Sequence, residues 1–225
     1  MSQQMMKSSS FTRGEHLRIA IFGASGRTGQ HLVKQALAQD YAVTALVRTP
    51  AKFGLQHPQL MVVPGDIGDA AAVSQTVSGA QAVISVLGPT SNAAEFAISR
   101  GMQHIIAAMW QHDVRRLIVS IGAGVGDPAD APRLIHRLIT WLLKIASKNV
   151  YQDMVKTAAL VRASGLDWTI VRVPMLTDAP ETGQIKTAYV GKGLGMRLTR
   201  GDMAKFMLTQ IGDATYLRQA PAISN

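Results

Sequence analysis

Three glycines spaced three apart stand in Gly23-Ala24-Ser25-Gly26-Arg27-Thr28-Gly29. In a chain with 20 glycines among 225 residues the spacing alone carries little weight. Its placement carries more. The run follows Leu17-Arg18-Ile19-Ala20-Ile21-Phe22, a short apolar strand pattern, and leads into a stretch with Leu32, Val33, Ala36 and Leu37 on one helical face. A helix that opens directly after a strand offers free N–H groups and partial positive charge to an anion. The first glycine permits the tight turn, the second admits a pyrophosphate to the backbone, and the third lets helix and strand pack closely. The expected chemistry is binding of a dinucleotide, its pyrophosphate held by Gly23, Ser25, Gly26, Arg27, Thr28 and Gly29.

The next strand, Ala42 to Val47, is followed by Arg48-Thr49-Pro50-Ala51-Lys52, with no acid where a ribose 2′-hydroxyl would ask for one. A guanidinium there suits a 2′-phosphate, with Arg27 as the other side of a clamp, so NADP(H) is expected over NAD(H). A solvated strand-end arginine is the plainer reading of Arg48. Asp66, followed by Ile67, either accepts from an adenine amine or forms a turn. Leu87-Gly88 closes the fourth strand at the edge where the cofactor should pass.

These residues sit in an alternation of strand-like and helix-like segments. Helices are expected at 28–39, 69–77, 92–111 (with Asn92 as N-cap) and 132–163, the last broken near Lys148-Asn149; a further helix is expected at 202–211. Strands are expected at 17–22, 42–47, 60–63, 81–87, 116–120 and 168–173. Strands linked by helices predict an α/β fold: one Rossmann-type domain over 17–225, a doubly wound parallel sheet with helices on both faces. Residues 1–16 read as a flexible extension without the apolar core of a secretory signal.

Composition narrows the partners. The formal charge is +9, yet the cations are dispersed and aromatics make up only 5%, so a small polyanion is expected rather than nucleic acid. With no cysteine, disulfides and thiolate chemistry are excluded, which fits a cytoplasmic protein. The six histidines show no metal-ligand spacing, no Gly-x-Ser-x-Gly elbow occurs, and no segment is long enough to span a bilayer.

The chain resembles the atypical short-chain dehydrogenases that include the biliverdin-IXβ/flavin reductases and the NmrA-like proteins. The likeness runs from Arg18 to the C-terminus. It rests on the glycine turn, Val43-Thr44-Ala45-Leu46-Val47-Arg48, Gly65-Asp66, the block Ala163 to Arg172, Leu176-Thr177-Asp178 before Thr182-Gly183, and Thr215-Tyr216-Leu217-Arg218 with Ala220-Pro221. The resemblance implies NADPH-dependent reduction of a flavin or linear tetrapyrrole by a monomer or homodimer; a non-catalytic NADP(H) sensor in the NmrA style is the alternative.

The chain also departs from that pattern. Gly122 stands where the biliverdin-IXβ reductases have a serine, and Met175, after Pro174, stands where they have a histidine. Gly122, Pro174 and Met175 are thereby expected beside the acceptor. Ser120 is the candidate contact to substrate or nicotinamide, against a plain strand-end serine. The Tyr-x-x-x-Lys dyad is missing, because Tyr151 and Lys156 are five apart and face different ways on a helix. Finally, Arg133, Arg137, Thr140, Lys144 and Ser147 form a basic stripe opposite Leu134, Leu138, Trp141, Leu142 and Ile145. That helix is expected to pack on its own domain or to wall the acceptor pocket, with membrane-surface contact as a third reading.

Overall fold

A computed structural model describes residues 16–89, 96–132 and 134–225, including all their side chains except those of 135–137, 139, 140 and 143. Its frame is a sheet of parallel strands: β1 (Arg18–Phe22), β2 (Ala42–Val47), β3 (Leu60–Pro64), β4 (Ala82–Ser85), β5 (Arg116–Gly122) and β6 (Asp167–Val173). They lie in the order β3-β2-β1-β4-β5-β6, which reverses direction beside β1, as a doubly wound fold requires. Two short strands extend the sheet. The last of the chain, β10 (Ala222–Ser224), runs parallel to β6, and β8 (Lys186–Ala188) pairs antiparallel with β10. A separate parallel pair joins β7 (Met175–Thr177) to β9 (Arg197–Thr199).

Alternation along the strands builds two cores. In β1, Ala20 and Phe22 face one side, where they pack with Met102, Ile105, Leu117 and Trp168. Ile19 and Ile21 face the other, with Leu32, Val33 and Ala36 of α1 (Arg27–Ala38) and Met203, Ala204 and Met207 of α6 (Arg200–Thr209). Central strands covered on both faces must be apolar throughout, and β2 and β4 are buried along their whole length. The helices on the first face are α2 (Ala70–Val77), α3 (Ala97–Gln111) and α5 (Lys148–Ala163); α4 (Leu134–Ala146) precedes α5 and packs against it.

Boundaries follow local chemistry. Asp69 caps α2 by accepting from the Ala71 and Ala72 amides at 2.9 and 3.1 Å. The helical stretch expected over 132–163 is two helices parted at Ser147. The described part of α3 begins at Ala97, and the expected cap Asn92 lies outside the described residues, as does the N-terminal extension apart from His16. Because α3 lacks a cap of its own, α5 supplies one: the buried Asp153 carboxylate accepts from Ile98 and Ser99 N–H at 3.1 and 2.9 Å.

Candidate functional site

The glycine turn joins β1 to α1 at the carboxyl edge of the sheet. Gly23 has φ +86°, and a Cβ there would lie 2.9 Å from the backbone of Val86, so both conformation and space demand glycine. A methyl at Gly29 would collide with the Gly23 carbonyl and the Ala24 backbone. The helix starts at Gly26 with no side-chain cap and no acid in its first turn, leaving its N–H groups and dipole directed at the cleft outside. Such a cradle fits a pyrophosphate.

Three connected hollows run along this edge. The first, about 320 Å³, is lined by Gly23, Ser25 and Gly26 together with Arg48, Asp66, Ile67, Leu87 and Gly88. Here the expected adenosine-side residues meet. Asp66 fills the turn role, accepting from Gly68 N–H at 3.0 Å through Oδ1, while its Oδ2 stands 3.9 Å from Arg48 Nε. Ile67 is pinned against Gly101 of α3, and its carbonyl lies 2.9 Å from His104 Nδ1.

The second hollow, about 450 Å³, shares Gly26, Leu87 and Gly88 with the first and adds Arg27, Thr28, Gly29, Ser85, Ser120 and Gly122. The Ser120 hydroxyl reaches the Ser85 carbonyl at 3.4 Å. The Ser85 hydroxyl is buried without a partner among the described residues, a polar group left over at the edge of the second hollow. Met154 and Thr157 are the residues α5 presents here. Tyr151 and Lys156 point elsewhere: Lys144 stacks on Tyr151, and Lys156 lies 3.6 Å over the Phe96 ring.

Arg27 does not join Arg48, so the two-arginine clamp expected around a 2′-phosphate is not formed. Arg27 turns into the second hollow and donates to Asp178 at 3.0 Å, and Arg200 donates to the other oxygen of the same carboxylate at 2.7 Å. Asp178 lies directly after β7, and its ion pair with Arg27 leaves Arg27 lining the second hollow while Arg48 lines the first. Sequence reasoning missed both Asp178 as a partner and Arg200, because 151 residues separate Arg27 from Asp178.

The third hollow, about 520 Å³, adjoins the second through Gly122, Met154 and Val173. Pro174 and Met175 line it with Val190, Leu194, Met196 and Ile223, and every lining residue is Gly, Ala, Val, Leu, Ile, Met or Pro. Met154 sulfur fills the space beside Gly122, 3.2 Å from where a Cβ would stand. Beneath its wall a buried pair holds the segments together: the wholly buried Arg172 of β6 donates to both Asp130 oxygens at 2.6 and 2.7 Å. Asp130 also accepts from Val190 N–H at 3.0 Å, and Arg172 reaches the Ala220 carbonyl at 2.8 Å. Burial pushes the Asp130 carboxyl up, but the bonds from Arg172, Asp127 and Val190 prevail and hold it below the ordinary range. No residue of α4 lines any of these hollows, so the expectation that it walls the acceptor pocket is not met among the described residues.

Comparison with known proteins decides the family. Residues 23–214 match the NAD(P)H-binding family. The chain belongs to that family. An oxidoreductase of Aspergillus parasiticus, AflX, is 31% identical over 162 residues, which cover 65% of this chain and 59% of that protein. Cinnamoyl-CoA reductase 1 of Oryza sativa subsp. japonica is 28% identical over 204 residues, 80% of this chain and 60% of the relative. The chain thus spans about three-fifths of the length of these curated relatives. Among solved structures, a short-chain dehydrogenase/reductase of Veillonella parvula in complex with NADP superposes with a TM-score of 0.73 at 22% identity, covering 94% of this chain and 95% of its own. ChuY, an anaerobilin reductase from Escherichia coli O157:H7, gives 0.72 at 20%, covering 92% and 96%. At such identity these two establish the shared Rossmann fold.

Proposed function

We propose that this chain is an NADPH-dependent reductase delivering hydride to a flat conjugated acceptor such as a flavin or a linear tetrapyrrole. The observation that carries the reading is the junction at Gly122, Met154 and Val173, which line both the second hollow and a neighbouring one walled by apolar side chains. When bound, the reduced nicotinamide supplies the hydride, so the protein needs only to align the two rings. Met154 and Val173 give an apolar platform beside Gly122, and Pro174 and Met175 close its far side. The Ser120 hydroxyl orients the nicotinamide end. The described lining of the second hollow holds no Tyr, Lys, His, Asp or Glu, so the proton comes from solvent. Arg48 in the first hollow is the residue that favours NADPH over NADH.

That same lack of an acid or base favours a second reading, a non-catalytic NADP(H) sensor. The separating experiment follows NADPH and NADH oxidation with FMN, FAD and biliverdin as acceptors. Turnover with NADPH supports the reductase. No turnover with any of them, alongside micromolar NADPH binding, overturns it in favour of the sensor.

A further inference from the structure

α4 carries an apolar face that the fold does not cover. Leu134, Leu138, Trp141, Leu142 and Ile145 recur at steps of four, three, one and three, so they share an arc of about 100° on the helix. Their exposures run from 50% to 81%, unlike the buried apolar faces of α1 and α3. A monomer gains nothing by showing five large hydrophobic side chains together in water.

The charge around this face says what would cover it. From Ala131 to Gln152 the sequence holds Arg133, Arg137, Lys144 and Lys148 and not one acid. Lys144 and Lys148 are exposed, Lys144 projecting from the helix itself and Lys148 opening α5 behind it. With no acid between Ala131 and Gln152, a second copy docking through the same segment would bring no counter-charge to Lys144 and Lys148. An anionic lipid surface offers both complements: acyl chains for the Leu, Ile and Trp face and head-group phosphates for the lysines. Tryptophan beside lysine is the usual composition of a helix lying in that interface. The helix has 13 residues, and no helix among the described residues is long and apolar enough to cross a membrane, so it would lie flat.

We infer that α4 is a docking helix for an anionic membrane surface. It opens just after Ala131, whose N–H is bonded to the Val190 carbonyl in the wall of the third hollow. The inference rests on the α4 surface alone and stands or falls independently of the reductase reading.

The test is co-sedimentation of the full chain with vesicles of phosphatidylcholine alone and with about a third phosphatidylglycerol. The expected result is binding to the anionic vesicles only, weakened by salt. Leu138→Glu with Ile145→Glu, and separately Lys144→Glu with Lys148→Glu, should each reduce it about tenfold or more. Both variants alter exposed positions, and their NADPH affinity should match that of the unaltered protein. The inference is overturned if the unaltered protein ignores anionic vesicles, or if the variants bind as well as it does. It is also overturned if Leu138→Glu/Ile145→Glu abolishes a self-association seen by sedimentation, or changes acceptor KM without vesicles. Those outcomes would assign the face to a second copy or to closure over the protein's own site.

Discussion

Replacing Arg48 by Ala should raise the Kd for NADPH about tenfold and leave NADH within about twofold. The magnitude follows from the environment of the guanidinium. Arg48 is 63% exposed and its nearest acid, Asp66, stands 3.9 Å away, too far for a hydrogen bond. An exposed pair of that kind contributes at most about 1 kcal/mol, so turning Arg48 toward a phosphate costs little. A hydrogen bond to a charged group contributes about 1.5 to 3 kcal/mol, and solvent screening at this exposure selects the lower end. About 1.4 kcal/mol is a factor of ten in affinity. Arg27 should behave differently. It is held by Asp178, which it shares with Arg200, in the second hollow. Arg27→Ala should weaken NADPH and NADH by the same factor. Fluorescence titration of both cofactors into both variants, at two salt concentrations, measures this. If Arg48→Ala weakens the two cofactors equally, or Arg27→Ala discriminates between them, the assignment of the 2′-phosphate to Arg48 is wrong.

Asp130→Asn leaves the wholly buried Arg172 without its counter-charge, which should cost about 3 to 5 kcal/mol and lower Tm by roughly 10 °C; a fall below about 3 °C in a thermal melt would show that the pair is not what holds the wall of the third hollow. Acid stability should be governed in part by Asp202. Burial raises its carboxyl, but bonds from Thr182, Thr199 and Gly183 outweigh this and bring it from 3.8 to about 2. As pH falls the unfolded chain takes the proton first, so this contribution is complete above about 4 and disappears as pH falls through about 2. Urea midpoints of the parent and Asp202→Asn should therefore converge across that window, and a constant gap would refute the linkage.

Local features were legible in the sequence, and long-range pairings were not. The glycine turn declared itself through its spacing and its placement between strand and helix, although the Val86 backbone that closes over Gly23 lies 63 residues away. The inner strands β1, β2 and β4 stood out because double-sided burial favours apolar runs; β3, a partly exposed edge strand, showed through Leu60-Met61-Val62-Val63 ended by Pro64-Gly65. Strands β7 to β10 have three residues each, too few to show a period, and they take shape only by pairing with one another or with the main sheet. Arg27 was placed correctly on the turn, but its direction is fixed by Asp178, which no local pattern reveals. The five-residue spacing of Tyr151 and Lys156 did foretell that they would not act together. Met154 and Thr157, which take the cleft-facing positions of α5, carried no signal that separates them from ordinary helix residues.

The packing of α6 against α1 has a consequence for how the protein is made. Leu32, Val33 and Ala36 are synthesised long before Met203, Ala204 and Met207, which complete their shelter. Until then one face of the nascent sheet stays greasy and open, and the first half of the molecule has no independent resting state. Folding must wait for contacts distant along the chain, which slows it and lengthens the interval in which aggregation competes. A truncation before Arg200 should accordingly be held by chaperones rather than persist as a smaller cofactor-binding unit.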